Sequence, residues 1–571
     1  MKIKETLTTE YSNLMDRDMP WQDYPRPMLK RDSYICLNGL WDFAYAEDAP
    51  ENYNEKILVP FPPESALSGI ERTHGKKEKL YYRRYFSLPS GFIKKKLLIH
   101  FGAVDQCCEV FINGKPVGSH EGGYIPFSFD ITDLIRDGEN ELTVVAKDTL
   151  SSLYPYGKQR KKRGGMWYTE VSGIWQTVWL ESLPENSVDA LTVTTNTEFA
   201  EIKVTTNSKS VRLTLSESGE SFESSDGEFK ISPKDKKLWS PENPYLYSFT
   251  VSTDSETVES YFALREIGVK KINGVSRLTL NGEPYLFSGL LDQGYFPDGI
   301  FLPAVSKAYE DDILATKALG FNTLRKHIKI EPQIFYYLCD KLGMVVFQDM
   351  INNSDYSFLR DTAIPTVFSK KHSDIRLHKN EKSRKIFLKT LEETVDLLRN
   401  HPSVLYYTIF NEGWGQFTAN EVYRWAKSLD EARIFDATSG WFWQGESDVD
   451  SYHIYFKRLD AEILESRPAV ISEFGGYSYR CEGHLFGKRN YGYKSFDSRD
   501  GFEDAVAKLY ENEVAPLVEK GISALIYTQL SDIEDETNGF LTYDRRVMKV
   551  DTQRFYAIMK RLEKISKTTE K

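Results

Sequence analysis

The sequence predicts a multidomain chain built from a β-sandwich over residues 1–183, an immunoglobulin-like β-sandwich over 184–268 and a (β/α)8 TIM barrel over 269–571. Three observations carry that expectation. Residues up to about 180 alternate apolar and polar positions with no helix of useful length between them, the pattern of antiparallel sheet. A shorter Thr-, Ser- and Val-rich stretch then continues in strands. Near Gly268 the pattern changes to strands alternating with helices, which implies parallel sheet.

In the first segment, Leu97-Leu-Ile-His-Phe-Gly is followed by Glu109-Val-Phe-Ile-Asn-Gly-Lys-Pro-Val-Gly. Its Asn113-Gly114 pair is the strongest two-residue hairpin signal. Further strands are expected over 141–147 and 173–181, and strands without helices read as a sandwich. The second segment alternates in Ala190-Leu-Thr-Val-Thr-Thr and Leu246-Tyr-Ser-Phe-Thr-Val, and its size suits an immunoglobulin-like sandwich. In the third, a hairpin at Asn281-Gly282 leads into a strand over 285–290, with others expected at 322–325, 344–347, 404–410, 433–437, 450–455, 469–473 and 523–528. Eight such units fit one barrel, for which roughly 250 residues is typical. Helices are expected over 310–319, ended by Gly320, and over 331–342, opened by Pro332 and ended by Gly343; Thr418 and Glu421 are spaced as a capping box.

Composition narrows the function. A length of 571 residues exceeds any single ordinary core. A net charge of −11 works against nucleic acid as the partner. The amino terminus lacks the apolar core of a signal peptide, and no stretch approaches the roughly 18 apolar residues of a membrane span, so no membrane partner and a cytoplasmic location are expected. Five cysteines, an odd number with no zinc-like spacing, read as buried thiols. No cofactor is expected.

The chemistry is carried by two acids. Glu412, in Thr-Ile-Phe-Asn-Glu-Gly-Trp-Gly, follows the fourth barrel strand, and Glu473, in Val-Ile-Ser-Glu-Phe-Gly-Gly, ends the seventh. In such barrels the carboxyl ends of the strands form the active face. Two carboxyl groups there are the equipment for cleaving a glycosidic bond, one protonating the leaving oxygen while the other attacks or assists at the sugar carbon. A carbohydrate is therefore the expected partner. Asn411 is placed to bond a sugar 2-hydroxyl, Tyr455 and Arg325 to keep Glu473 charged, and His327 and His453 to hold hydroxyls. Trp441, Trp443, Trp414 and Tyr527 are candidates for stacking on sugar faces, whereas Trp425, at helical spacing from Val422, reads as core.

With these motifs the chain resembles glycoside hydrolase family 2, the family of β-galactosidases, β-glucuronidases and β-mannosidases. The resemblance also rests on Leu37-Asn-Gly-Leu-Trp-Asp-Phe43, on Val110-Phe-Ile-Asn-Gly-Lys-Pro-Val-Gly-Ser-His-Glu-Gly-Gly-Tyr-Ile-Pro-Phe127, on Ser172-Gly-Ile-Trp-Gln-Thr-Val-Trp-Leu180, on Leu238-Trp-Ser-Pro-Glu-Asn-Pro-Tyr-Leu-Tyr247 and on Phe262-Ala-Leu-Arg-Glu-Ile267. It implies a jelly-roll, sugar-binding-like first domain, an immunoglobulin-like second domain and a retaining barrel. It also implies that Glu412 is the acid/base, Glu473 the nucleophile and Asp292 an acid that contacts sugar hydroxyls, and Tyr527 stands where relatives often have Trp.

The chain departs from the family in places. It reads Val346-Phe-Gln-Asp-Met-Ile-Asn where large β-galactosidases have a Glu-Thr-His-Gly metal motif, so no metal is expected. Phe474-Gly-Gly-Tyr477 replaces the galactosidase His, Arg325-Lys326-His327 is one residue tighter than the family spacing, and Asn538-Gly-Phe-Leu-Thr-Tyr-Asp-Arg545 lacks the Asn-Lys pair that grips the acid of glucuronides. The expectation is an exo-acting β-glycosidase with galactosides favoured, β-glucuronidase or β-mannosidase as alternatives, and an inactive carbohydrate-binding protein as the alternative of another class. Two charged runs complete the reading. Lys158-Gln-Arg-Lys-Lys-Arg163 reads as a solvated loop, with acidic-sugar binding or a subunit contact in a homo-oligomer as alternatives. Asp532-Ile-Glu-Asp-Glu536 reads as a rim of the cleft, since it lacks the ligand spacing of a calcium loop.

Overall fold

Residues 7–368 and 372–568 are described by the computed structural model of this chain. Its hairpins form where the sequence places left-handed turn residues. Asn113 and Gly114 take φ of 52° and 74°, and Asn281 and Gly282 take 56° and 81°, the conformation a two-residue type I′ turn demands.

The first domain packs a six-stranded sheet against a four-stranded one. In the larger sheet Lys79–Ser87 and Glu139–Lys147 are central neighbours; the smaller runs Tyr34–Cys36, Val178–Leu183, Lys96–Phe101, Phe127–Asp130. Trp41, Phe43, Tyr82, Ile99, Val110 and Val144 fill the space between them. The strand expected over 173–181 is broken into Gly173–Ile174 and Val178–Leu183, because Trp175 leaves the sheet and donates its indole N–H to the Gly123 carbonyl at 2.7 Å. The second domain pairs a three-stranded with a four-stranded sheet around Val204, Leu213, Phe249 and Val258.

Eight parallel strands follow: Phe287–Asp292, Thr323–Lys326, Val345–Asp349, Val404–Asn411, Ile434–Ser439, Asp450–Ile454, Ala469–Gly475 and Ala524–Thr528. Pairing runs in the order 5-4-3-2-1-8-7-6, a nearly closed barrel with its seam between strands 5 and 6. Alternation along each strand splits the side chains into two layers. Phe287, Leu291, Phe347, Val470, Ala524 and Ile526 fill the inside, while Leu290, Leu324, Val346, Ile471, Leu525 and Tyr527 face the helices.

The helices include Lys307–Ala318, Gln333–Leu342, Glu381–Leu398, Ala419–Leu429, Arg499–Leu509 and Thr552–Thr568. Gly343 ends the second of these in the left-handed conformation, φ 73°. The expected capping box at Thr418 does not form. Thr418 is itself left-handed and caps nothing with its side chain; Asp374 accepts the Ala419 amide at 2.8 Å instead. Among the described residues no helix is long and apolar enough to cross a membrane.

Residues 154–169 leave the first domain and lie on the carboxyl-end face of the barrel. The Tyr156 amide donates to the Asn352 carbonyl at 3.1 Å, the Tyr156 hydroxyl donates to the Ser354 carbonyl at 2.9 Å, and Trp167 stacks on Trp414 with ring centroids 5.3 Å apart. The two charged runs meet here. Arg163 pairs with Glu534 at 3.3 Å and Asp535 at 3.5 Å, and Glu534 also accepts the Thr169 amide at 2.8 Å. The basic run is thus a docked interdomain strap rather than a solvated loop.

Candidate active site

Two local irregularities bring the acids to one place. Glu412 follows strand 4 with φ +52°, while its amide still donates to the Ser439 carbonyl at 2.9 Å. Left-handed backbone in a non-glycine residue costs energy, and here it turns Glu412 inward directly after the inward-facing Asn411. Gly413 makes room, since a Cβ there would lie 2.9 Å from the Asp361 carbonyl oxygen. On strand 7 the register shifts between Ile471 and Phe474. That bulge lets neighbouring Ser472 and Glu473 both face the interior, as bulges do where a side chain must be re-aimed.

A carboxylate oxygen of Glu412, one of Glu473 and a ring nitrogen of His453 all lie within 4.8 Å of one another. Among the described residues this trio is also the group whose ligand atoms are close enough to share a cation. His453 Nδ1 is 2.9 Å from Glu412 Oε1 and 3.5 Å from Glu473 Oε2. His453 Nε2 sits against the Ser439 hydroxyl at 2.6 Å. Gly440 leaves the space this ring occupies, for a Cβ there would meet His453 Cγ at 2.7 Å.

Glu473 is held by donors. Arg325 Nη1 donates to its Oε1 at 3.0 Å and the Tyr455 hydroxyl to its Oε2 at 2.7 Å. Burial pushes this carboxyl up, but His453, Arg325, His327 and Lys158 together outweigh burial and hold it down at about 2. Arg325, fully buried, also bonds Asp349 Oδ1 at 2.9 Å, the Ser472 carbonyl at 3.0 Å and Asn411 Oδ1 at 2.8 Å. Because a guanidinium only donates, the Asn411 oxygen must face it. Among the described residues the Asn411 Nδ2 is left buried and without a partner, a free donor beside the acids.

His327 lies 4.0 Å from Glu473 Oε1 and bonds Asp349 Oδ2 at 2.5 Å. Burial and then Lys158 push its imidazole down to about 4, so it is neutral at pH 7. Tyr455 stacks on Tyr493 with centroids 3.9 Å apart and also meets the Thr528 hydroxyl at 2.8 Å. Trp441 presents its ring to His453, edge to face, at 5.9 Å.

Two expected binding residues face elsewhere. Asp292 pairs in register with Lys326, as inward-facing Leu291 does with Arg325, so it points out of the barrel. Its oxygens are taken by the Gly294 amide at 2.8 Å and Lys326 Nζ at 2.5 Å, within a buried set that includes Lys326–Glu331 and Lys329–Glu331 contacts, each at 2.9 Å. It fixes the loop after strand 1 instead of meeting the acids. Tyr527 is likewise turned outward, since Ile526 packs inside and Thr528 reaches Tyr455. It is fully buried and stacks on Phe540 at 4.9 Å.

Of the tryptophans, Trp414 is buried under the strap, Trp443 is 36% exposed and lies under Arg467, and Trp425 packs at the edge of the core. Asp349, Ser439, Thr528 and Tyr493 were not singled out from the sequence. Asp349, Ser439 and Thr528 had a signal, because each ends a barrel strand; Tyr493 had none apart from the fold.

Comparison with known proteins places each segment. Residues 69–184 match the glycosyl hydrolases family 2 sugar binding domain, residues 178–268 match glycosyl hydrolases family 2, and residues 274–475 match the family 2 TIM barrel domain. A β-galactosidase of Thermoanaerobacter pseudethanolicus is 26% identical over 475 residues, covering 77% of this chain and 60% of its own. One from Lactococcus lactis is 24% identical, covering 72% and 42%. The chain thus spans about 40 to 60% of the length of these relatives. Among solved structures, a β-D-glucuronidase of Dictyoglomus thermophilum superposes with a TM-score of 0.74 at 17% identity, over 95% of this chain and 98% of its own. A β-galacturonidase of Eisenbergiella tayi bound to galacturonate gives 0.69 at 19%, over 96% and 99%.

Proposed function

The chain belongs to glycosyl hydrolases family 2, and within that family we propose that it is a retaining, exo-acting β-glycosidase in which Glu473 is the nucleophile and Glu412 the acid/base. The observation that carries this reading is the pair of carboxyl groups at the ends of strands 4 and 7 with oxygens within 4.8 Å of each other. Retaining glycosidases hold their carboxyl groups about 5 to 5.5 Å apart, whereas inverting ones leave about 6.5 to 9.5 Å for a water between them.

The two environments suit two roles. Glu473, facing Arg325 and Tyr455, is ionised and attacks the anomeric carbon. Among the described residues Glu412 has His453 as its one side-chain partner, and its proton passes to the leaving oxygen before it takes a proton from the incoming water. Asn411 Nδ2 is a free donor for the 2-hydroxyl, a contact that strengthens in the transition state. Trp441 forms one wall. The names of the sequence relatives put β-galactosides and β-glucuronides on the substrate panel, with β-mannosides beside them.

Kinetics on nitrophenyl β-glycosides test the assignment. Glu473→Ala is expected to abolish turnover, while Glu412→Ala loses about 10²- to 10⁴-fold on poor leaving groups and far less on activated ones. Azide is expected to restore the Glu412 variant and yield a β-glycosyl azide. Equal losses on all leaving groups overturn the assignment, and sugar binding without any turnover would leave an inactive carbohydrate-binding protein.

A further inference from the structure

Lys158 is the buried cation of the interdomain strap and, among the described residues, has no counter-ion. Of its neighbours in the basic run, Arg160 lies 3.9 Å over the Trp167 ring, Lys161 pairs with Glu170 at 3.2 Å, Lys162 is exposed, and Arg163 pairs with Glu534. Lys158 is 7% exposed. Among the described residues its ammonium makes no hydrogen bond or ion pair, and its nearest shown contacts are the rings of Tyr168 and Trp414, each 5.7 Å away.

The strap is built to hold this side chain at the barrel mouth. The Tyr168 amide donates to the Lys158 carbonyl at 2.9 Å, and the adjoining strands Gln159–Arg160 and Tyr168–Thr169 pair in parallel. Gln159 is clamped on both sides, its Nε2 donating to Asp105 Oδ2 at 2.8 Å and its Oε1 accepting the Val171 amide at 2.6 Å. Gly157, at φ +69°, passes so near the loop after strand 2 that a Cβ would lie 3.1 Å from the Ile328 carbonyl oxygen. That brings Lys158 alongside His327 and Glu473, where its charge adds to the lowering of both, while at Glu536 burial outweighs it and raises the carboxyl to about 7. Arg325 is already committed to Asp349 and Glu473, and Glu536 bonds Gln529 at 2.8 Å. Among the described residues both side-chain amide atoms of Asn352 and the Trp414 indole N–H are also buried without partners.

We infer that Lys158 takes the carboxylate of a uronic-acid glycone, making β-uronides the preferred substrates and supplying from the first domain the positive charge that the barrel lacks. The inference rests on the retaining β-glycosidase reading. An ammonium without a counter-ion beside the acids is matched in charge by a ligand carboxylate at this point. A dianionic phosphate fits less well, because Glu473 and Glu536 face the same space.

The test compares kcat/KM for nitrophenyl β-glucuronide and β-galacturonide with that for the β-galactoside, in the native chain, Lys158→Gln and Lys158→Arg. Calorimetric binding of D-glucuronate, D-galacturonate and D-galactose gives a readout independent of turnover. The native chain is expected to favour a uronide at least tenfold, Lys158→Gln to lower that ratio at least 30-fold and lose uronate binding, and Lys158→Arg to restore part of both. A ratio in Lys158→Gln within threefold of native, or a native chain that favours the galactoside in turnover and the hexose in binding, overturns it. Should Lys158→Gln fail to fold, the native ratio and binding contrast decide alone. Uronate binding that Lys158→Gln abolishes, with no turnover of any glycoside, would sink the glycosidase reading and with it the substrate preference, leaving Lys158 as a carboxylate-binding residue only. Turnover of galactosides without uronate binding would sink this one only.

Discussion

Glu473 carries its charge in a place that by itself would remove it. Burial favours the neutral acid, and the ionised form survives because Arg325 and Tyr455 donate to it. A folded value of about 2 lies below the roughly 4.3 of an unfolded glutamate. The group therefore contributes stability that is present above about pH 4.3 and lost as pH falls through the folded value. Tyr455→Phe removes one donor to the charged form, so the Glu473 value rises and the acid limb of kcat/KM moves to higher pH. Loss of a hydrogen bond to a charged group is worth about 1.5 to 3 kcal/mol, which predicts a fall in kcat of roughly 10- to 100-fold. A pH–rate profile of the variant checks both, and a superimposable profile with kcat within twofold would deny Tyr455 this role. Arg325 is a different case, because removing it leaves Asp349 and Glu473 buried without their shared cation, and such a loss costs about 3 to 5 kcal/mol. Arg325→Met is expected to fail in folding before it fails in kinetics.

How much of this was legible in the sequence differs from strand to strand. Apart from strand 6, which no described helix flanks, each barrel strand announces itself by a short apolar run and a neighbouring helix, and Glu412 and Glu473 stand at the ends of two of them. What the runs do not announce is the face. Asp292 and Tyr527 occupy strand ends as the glutamates do, but alternation turns them outward, whereas a left-handed residue and a bulge turn Glu412 and Glu473 inward against it. Neither device has a composition of its own. The strap is the larger gap in the sequence reading, since Lys158-Gln-Arg-Lys-Lys-Arg163 and Asp532-Ile-Glu-Asp-Glu536 have the composition of solvated loops, and their pairing across about 370 positions is visible only in the fold. Trp167 pins this element through its stack on Trp414. Truncating a buried Trp costs about 3 to 5 kcal/mol, so Trp167→Ala is expected to release the strap, opening tryptic cleavage at Lys161, Lys162 and Arg163 and raising KM more than it lowers kcat. Unchanged cleavage kinetics would show that the strap is held elsewhere.

The strap ties the first domain to the barrel at the candidate active site. Between them lies a buried cluster that neither segment completes alone: Tyr124, Trp167, Tyr168 and Trp175 from the first, Tyr295, Phe301, Ile330, Trp414 and Tyr543 from the barrel. Thr9 adds a link from the amino-terminal side, its hydroxyl donating to Asp298 at 2.6 Å. The second domain is tied in as well, through the Trp239 indole N–H to the Asp340 carbonyl at 2.8 Å and the Tyr261 hydroxyl to the Asp340 carboxylate at 2.7 Å. Interfaces that are large and apolar suppress independent domain motion, whereas small polar ones leave it. Unfolding the first domain alone would expose aromatic surface on the barrel and strip the mouth of Lys158. Scanning calorimetry of the whole chain is therefore expected to give one cooperative transition, with loss of glycosidase activity coinciding with it. Two transitions separated by more than about 10 °C, which for domains of this size corresponds to several kcal/mol of independent stability, would mean that the cluster does not couple the domains. In that case activity lost with the first of them would still place the strap, and not the barrel alone, in the working site.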